Sequence, residues 1–319
     1  MLAAAQGAGL GEPSYLALHR SGELRRRARA AMASLAECRL CPHECKVNRL
    51  ADGRGVCRMG AEAKIASWNV HPWEEPPISG AGGSGTIFFS GCTGRCIFCQ
   101  NYSISQMGYG NTVTTERFAG MMLELQRRGV HNINFVTPTH FVPQILAAVD
   151  VAAGWGLRLP LVYNTSGYER VETLRLLDGV IDIYLPDIKY ADDAAAKRFS
   201  GFIRYAERDR LALKEMLRQV GPQLARDEHG IAQRGMIIRH LVLPSGLAGT
   251  SEAMRWIAEE LSQEVHVSLM DQYFPTYKSV DDRELGRKVT AEEYEAALDA
   301  FEAAGLQNGW LQDHECETE

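Results

Sequence analysis

Short apolar runs alternate with amphipathic stretches along the chain after residue 85. The runs have the length of strands, and the stretches between them repeat their apolar residues at helical spacing. Strands are predicted at 86–89, 132–136, 159–163, 180–185, 236–243 and 265–270, and helices at 115–128, 142–153, 169–177, 191–220, 251–262 and 291–304, the fourth helix being interrupted at Ser200-Gly201. Six strand–helix units predict an α/β fold whose parallel sheet is either open and doubly wound or curled into a barrel.

Polar residues follow nearly every predicted strand. They are Cys92 after the first, Thr137 to His140 after the second, Asn164 and Thr165 after the third, Asp187 and Lys189 after the fourth, Ser245 after the fifth and Asp271 after the sixth. Asp187 and Lys189 alternate along an extended segment, so their side chains are expected on one face. Because ligands of parallel α/β folds gather at the carboxyl ends of the strands, these residues predict a polar pocket there.

The region before the first strand has a different character. It contains a predicted surface helix at 23–35, a turn-rich stretch with four cysteines at 37–60, and a Pro/Gly-rich passage at 71–85. Glu74 and Glu75 lie in that passage and are expected to be exposed loop acids. Four segments are predicted: an N-terminal helix and extension (1–36), a Cys-rich metal-binding segment and linker (37–83), a core domain (84–280), and a C-terminal helix with an acidic tail (281–319).

Composition is that of an ordinary globular protein, with 45% apolar residues among 319. The formal net charge of −6 disfavours a nucleic-acid or anionic-membrane partner. No apolar run reaches the length of about 18 residues that a bilayer crossing requires. The N-terminus lacks the pattern of an export signal, so a cytoplasmic location is expected.

Eight cysteines fall into two clusters and one singleton: Cys38, Cys41, Cys45 and Cys57, then Cys92, Cys96 and Cys99, then Cys316. A disulfide framework is typical of short secreted chains, whereas clustered thiols in a reducing compartment more often bind metal. Cys316, in the acidic tail, is predicted to be a free thiol.

The second cluster has the spacing C-x3-C-x2-C directly after the first strand of the predicted core. Soft thiolates at this spacing select iron–sulfur or zinc, and purely structural thiols are the remaining reading. A [4Fe–4S] cube held by Cys92, Cys96 and Cys99 keeps one iron without a protein ligand, and that iron can bind a substrate. Gly91 and Gly94 allow the backbone to wrap closely around such a centre.

This motif, with Phe98 before the third cysteine, resembles the hallmark of the radical S-adenosylmethionine (SAM) superfamily, and the resemblance covers roughly residues 84–280. It implies a partial (βα)6 TIM-like barrel. It also implies a [4Fe–4S] cluster that chelates the methionyl amino and carboxylate groups of SAM. One electron would then yield methionine and a 5′-deoxyadenosyl radical, an oxidoreductase chemistry fed by a flavodoxin- or ferredoxin-type electron donor. The implied SAM pocket comprises Phe98, Thr137, Thr139, His140, Asn164, Thr165, Asp187, Lys189 and Arg239.

Within the superfamily the chain is most similar to the activating enzymes of glycyl-radical enzymes, such as pyruvate formate-lyase activase, and to their longer relatives. The similar segments are 99–102, 163–168, 182–189 and 239–244. Two positions depart from the pattern: Thr137 to His140 replace a Gly-Gly-Glu, and Gln100 replaces a histidine. The expected partner is a glycyl-radical enzyme. Radical modification of a peptide, cofactor precursor or nucleotide is the alternative, and a non-catalytic zinc or redox protein is an alternative of another class.

The first cluster, C-x2-C-x3-C-x11-C, offers four thiolates. Cys38, Cys41, Cys45 and Cys57 can close a tetrahedral zinc site or complete an auxiliary iron–sulfur cluster, and free thiols are the remaining reading. The small size of the segment, which cannot build a core of its own, favours zinc as a structural staple. His43 is expected to be a solvated loop residue rather than a ligand.

Overall fold

The computed structural model describes residues 11–311, so the N-terminal ten residues and Cys316 with its acidic tail lie outside the described part. The strands are β1 Ala63–His71, β2 Ser84–Phe89, β3 Asn111–Val113, β4 Ile133–Val136, β5 Leu161–Thr165, β6 Ile183–Pro186, β7 Ala225–Arg226, β8 Ala232–Leu241, β9 His266–Met270 and β10 Gly309–Leu311. The helices are α1 Tyr15–Arg20, α2 Glu23–Ala33, α3 Pro76–Ser79, α4 Tyr102–Ser105, α5 Thr115–Arg127, α6 Val142–Gly154, α7 Val171–Leu176, α8 Asp193–Ser200, α9 Tyr205–Val220, α10 Thr250–Glu260 and α11 Ala291–Ala303.

The strands form one sheet in the order β10-β9-β8-β6-β5-β4-β2-β1-β3, with β7 paired to β8. The six strands predicted from the sequence are β2, β4, β5, β6, β8 and β9, and each pairs in parallel with the next along the chain. The predicted α/β fold with a parallel sheet is therefore confirmed. The strands β1, β3, β7 and β10 were not predicted from the sequence; of these, β1 and β3 extend the sheet beyond β2 as antiparallel strands.

Local signals set the helix boundaries where the pattern placed them. The Thr114 side chain accepts the Arg117 N–H and starts α5, and Thr290 forms a capping box with Glu293 at the start of α11. The long helix predicted at 191–220 is divided, as expected, at its glycine: Gly201 adopts a φ of 66° and ends α8.

A contact across the sheet reveals that the sheet curls. The Glu74 carboxylate accepts the Asn134 amide of β4 at 3.2 Å and pairs with Arg239 of β8 at 3.5 Å. In a flat sheet β4 and β8, three strand spacings apart, would stand about 14 Å from each other. Contact of one carboxylate with both strands indicates that the sheet bends around it, as in a TIM-barrel-like arrangement.

The concave face has an apolar layer below a polar one. Val162 and Ile237 pack on Ile78 of α3, which fills the amino-terminal end of the curl. Two residues further along the same strands, Asn164 and Arg239 face the same interior nearer the carboxyl edge. Site chemistry is thus confined to the carboxyl end of the sheet.

Glu74 and Glu75 are the clear correction to the sequence analysis. The Glu74 side chain is 9% exposed, and Glu75 is 8% exposed as a residue, so neither is a solvated loop acid. Both residues directly precede α3. The segment that places α3 at the amino-terminal end of the curled sheet also places the two carboxylates in the interior of the sheet.

The N-terminal helices pack on the outside of the sheet. His19 and Arg25 both contact the Asp150 carboxylate of α6, at 2.7 and 3.0 Å, and Ser14 donates to Asp182 just before β6. In residues 11–311, no helix has the length and apolarity needed to cross a bilayer. The proposed segment boundaries at 36, 83 and 280 stay predictions.

Candidate functional site

The three-cysteine loop leaves the carboxyl end of β2 through a sharp turn. Gly91 has a φ of 77°, and its N–H donates to Ile104 O at 3.0 Å. A Cβ at this position would lie 2.7 Å from Cys57 O, so both the backbone conformation and the close neighbour require glycine.

The loop is held from the opposite side by the end of α8. The Arg95 and Ile97 N–H groups donate to Ser200 O and Phe199 O at 2.8 and 2.9 Å. A Cβ on Gly94 would lie 2.7 Å from Phe202 Cζ. These contacts fix the backbone on which the three thiols stand.

The thiols of Cys92, Cys96 and Cys99 are close enough to influence one another electrostatically. Cys96 is buried, and Cys92 and Cys99 are half-buried. The Gly94 N–H donates to Cys92 Sγ at 3.2 Å, and Cys99 Sγ lies 3.1 Å from Ser105 Oγ. Burial, followed by repulsion from Cys96, raises the pKa of the Cys92 thiol to about 12, and burial raises the pKa of Cys96. These two thiols are therefore neutral at physiological pH, and they would ionise only on binding a cationic centre that stabilises the thiolates.

A charged group lies beside this loop. Asp187, which follows β6, accepts Lys189 Nζ at 2.6 Å and Arg239 Nε at 2.9 Å. The Arg239 guanidinium also donates to Asn164 Oδ1 at 2.6 Å. Four of the predicted pocket residues thus form one hydrogen-bonded group, and Asp187 and Lys189 share a face as their alternation predicted.

The charges in this group stabilise one another. Burial opposes ionisation of Asp187, but Arg239 and Lys189 outweigh that penalty and lower the pKa of its carboxyl. The pKa of Lys189 is raised: burial lowers it, and the attractions of Asp187 and Cys96 more than compensate. The ammonium of Lys189 is therefore within electrostatic reach of the thiol loop.

The remaining predicted residues form a second group. Thr139 and Thr165 each donate to one Glu169 oxygen at 2.5 Å, while its other oxygen has no hydrogen-bond partner. Burial raises the pKa of Glu169 to about 7. His140 is buried and donates from Nε2 to Ser90 O at 2.9 Å. The side chains of Thr139, Thr165 and His140 thus bond to Glu169 and Ser90. The two groups are joined through the backbone, because the Asp187 N–H donates to Thr165 O at 2.8 Å.

Thr137 and Phe98 are the remaining residues of the predicted SAM pocket. Thr137 adopts a φ of 60°, and its N–H donates to Asn164 O, which joins the loop after β4 to β5. Phe98 is buried edge-on against Tyr273, so the segment after β9 covers the thiol loop. Gln100 supports that cover by donating to Gln272 O.

Sequence reasoning missed Glu169, Glu74, Glu75 and Asn134. Burial raises the pKa of both Glu74 and Glu75, although Arg239 beside them opposes the shift. Two of these four residues could have been noticed from their positions in the sequence. Glu169 stands shortly before the helix that follows β5, and Asn134 lies inside an otherwise apolar strand.

The other four described cysteines line a separate cavity with Arg49 and His140. Within residues 11–311, no three His, Cys, Asp or Glu side chains stand at the spacing of one metal ion. An iron–sulfur cube spreads its ligands more widely than a single ion, so the Cys92, Cys96 and Cys99 donors fit a cube in number, chemistry and burial.

Comparison with known proteins identifies the family. Residues 86–223 match the model of the Radical SAM superfamily. A Methanocaldococcus jannaschii protein described as "Uncharacterized protein MJ0674" is 32% identical over 281 residues, which cover 84% of this chain and 75% of that protein.

The solved structures that match the chain include a radical SAM methyltransferase from Sphaerobacter thermophilus, with a TM-score of 0.49 and 16% identity over 71% of this chain and 66% of that one. HydG, a maturase of the [FeFe]-hydrogenase, has a TM-score of 0.49 and 11% identity over 73% of this chain and 52% of that one. From the family model and the archaeal relative, the chain belongs to the radical SAM superfamily, which implies an enzyme with a [4Fe–4S] cluster and SAM.

Proposed function

We propose that Cys92, Cys96 and Cys99 ligate the [4Fe–4S] cluster, and that the enzyme generates a radical to activate a partner glycyl-radical enzyme. The carrying observation is the thiol loop itself: three mutually close thiols at the carboxyl end of β2, beside the Asp187 group. When bound, the cluster would supply the electron that splits SAM into methionine and a 5′-deoxyadenosyl radical.

The Asp187 group supports this proposal through its charges. The methionyl end of SAM carries a carboxylate and an ammonium, which need opposite partners. Lys189 offers a cation near Cys92 and Cys96, while Asp187 and Asn164 offer acceptor oxygens. The hydrogen bonds within the group hold these side chains in fixed orientations before the cosubstrate arrives, which reduces the entropy cost of binding.

The loop after β4 contributes its backbone rather than its side chains. Thr139 and His140 are already bonded to Glu169 and to Ser90 O. In the absence of the family's acidic residue there, carbonyl groups of the loop can accept the ammonium of the cosubstrate.

Cluster ligation is tested by Cys96→Ala, with Cys316→Ala as the matched control outside both cysteine clusters. After anaerobic reconstitution and reduction, the wild type and the control should release methionine and 5′-deoxyadenosine. Cys96→Ala should release neither, because a cube held by two thiolates is not retained in a form that binds SAM. Retained release in Cys96→Ala would exclude this ligand set.

The glycyl-radical partner is tested separately. Candidate partner proteins are mixed with the reduced enzyme and SAM, and electron paramagnetic resonance should detect a glycyl radical on one of them. Similarity of 163–168, 182–189 and 239–244 to the activating enzymes supports this partner. If deoxyadenosine accumulates while no candidate acquires that signal, the substrate is instead a peptide, a cofactor precursor or a nucleotide. A flavodoxin- or ferredoxin-type protein is the proposed electron donor.

A further inference from the structure

The N-terminal four-cysteine segment folds so that its thiols face one cavity. Cys38 N–H donates to Val47 O at 3.0 Å, and Lys46 N–H donates to Cys38 O at 2.9 Å, which closes a tight turn. The turn brings Cys38, Cys41 and Cys45 to the cavity that Cys57 enters from the next turn. A Cβ on Gly55 would lie 2.6 Å from Cys45 Sγ, so a side chain at this position would occupy the space that the thiol needs.

An isolated buried cation lines the same cavity. Arg49 is 1% exposed, and it donates to Gly60 O at 3.0 Å and to His140 O at 2.7 Å. Its Nη1 lies 4.0 Å from Cys38 Sγ. Among the ion pairs of residues 11–311, none joins Arg49 to a carboxylate.

A buried guanidinium without an anion is costly, and carbonyl oxygens supply only partial negative charge. Four thiolates around an iron–sulfur core leave a net negative charge that would compensate Arg49. We infer that Cys38, Cys41, Cys45 and Cys57 ligate a second iron–sulfur cluster, closed to substrate because protein thiolates take every ligand position. The four thiols line one cavity, yet no three His, Cys, Asp or Glu side chains of residues 11–311 are grouped as ligands of a single metal ion, which favours a polynuclear core over one zinc ion.

His43 is not among the residues that line the cavity, so it does not replace one of the four thiols. Its Nε2 donates to Thr93 O at 2.8 Å, inside the loop that carries Cys92 and Cys96. The Arg95 guanidinium of that loop donates in turn to Val56 O. Together with the contact between Gly91 and Cys57 O, these bonds pack the two cysteine loops directly against each other. The second cluster therefore also positions the loop of the first.

The test removes the first site and measures what remains. The triple variant C92A/C96A/C99A is reconstituted anaerobically, and iron, sulfide and zinc are measured per chain folded by circular dichroism. We expect about four iron and four sulfide, with the broad visible absorption of an iron–sulfur centre. Adding Cys45→Ala should remove both, whereas adding Cys316→Ala should leave them unchanged. Zinc alone, or no metal, in the folded triple variant would overturn the second cluster.

The positioning role has its own readout. With the first site intact, Cys45→Ala should keep about half of the wild-type iron and should change the electron paramagnetic resonance spectrum of the remaining reduced cluster. An unchanged spectrum would exclude positioning through this contact. Because metal content is measured in a variant without the first site, failure here is distinguishable from failure of the proposed radical chemistry.

Discussion

Replacing Asp187 with asparagine probes the charge balance on which the pocket depends. The carboxylate accepts Lys189 Nζ at 2.6 Å and Arg239 Nε at 2.9 Å. The amide of the Asp187→Asn variant would keep the shape of the side chain and lose its charge, leaving two cations partly buried and facing each other. Removing one partner of a buried pair costs about 3–5 kcal/mol.

The exposed fractions of the three side chains decide where in that range the loss of stability should fall. The side chains of Asp187, Arg239 and Lys189 are 14, 16 and 21% exposed, so solvent screens part of the interaction. We therefore expect a loss of about 3 kcal/mol. For a chain of 319 residues that corresponds to a fall of roughly 4–5 °C in the midpoint of thermal unfolding.

The assay compares Asp187→Asn with Glu260→Gln by thermal unfolding of anaerobically reconstituted protein at neutral pH. Glu260 pairs with Lys214 at 2.7 Å, but both side chains are about half exposed. Solvent screens such an exposed pair, so the unfolding midpoint of the control should hardly change. Equal shifts in the two variants would refute the conclusion that the Asp187 carboxylate balances a buried charge cluster. The double variant D187N/K189M should recover part of the loss, because one of the two unpaired cations is removed.

Two further substitutions test local conclusions. Burial raises the pKa of Glu169 from 4.5 to about 7, so between these values the unfolded chain releases a proton that the folded chain retains, and stability falls as pH rises. Glu169→Gln should lack this dependence. The difference in unfolding free energy between the variant and the wild type should therefore change by roughly 3 kcal/mol from pH 4 to pH 8. If the unfolding free energies of the two proteins vary with pH in parallel, the raised pKa of Glu169 is contradicted. Gly94→Ala would place a Cβ 2.7 Å from Phe202 Cζ and should lower the iron retained after reconstitution, whereas Gly120→Ala, with its nearest neighbour at 3.8 Å, should not; equal iron contents would contradict a tightly fitted loop.

The regular part of the fold was predictable because its signals are local. The strand predicted at 86–89 is Ser84–Phe89, and the helix predicted at 142–153 is Val142–Gly154. Alternation of apolar residues and helix capping act within a few residues, so a single sequence contains them. The strand Ala63–His71 was missed because it is only partly buried and follows a turn-rich cysteine segment.

The interior carboxylates were not predictable from such patterns. Glu74 and Glu75 precede two prolines and have the local character of an exposed turn. They are buried only because the sheet curls around α3, and that curvature depends on pairings between distant strands. Glu169 is a similar case, since its partners Thr139 and Thr165 come from the loop after one strand and the end of the next.

The loop after β4 explains why one predicted set of residues divides into two groups. The His140 carbonyl accepts Arg49, and the His140 ring donates to Ser90 O, immediately before the three-cysteine loop. The residue thus joins the cavity of the N-terminal cysteines to the strand end that carries Cys92. The His140 ring is buried and held through Nε2, so the cosubstrate-binding side chains are expected at Asn164, Asp187 and Lys189 instead. The loop that stands in place of the Gly-Gly-Glu pattern therefore contacts the N-terminal cysteine segment directly, through Arg49.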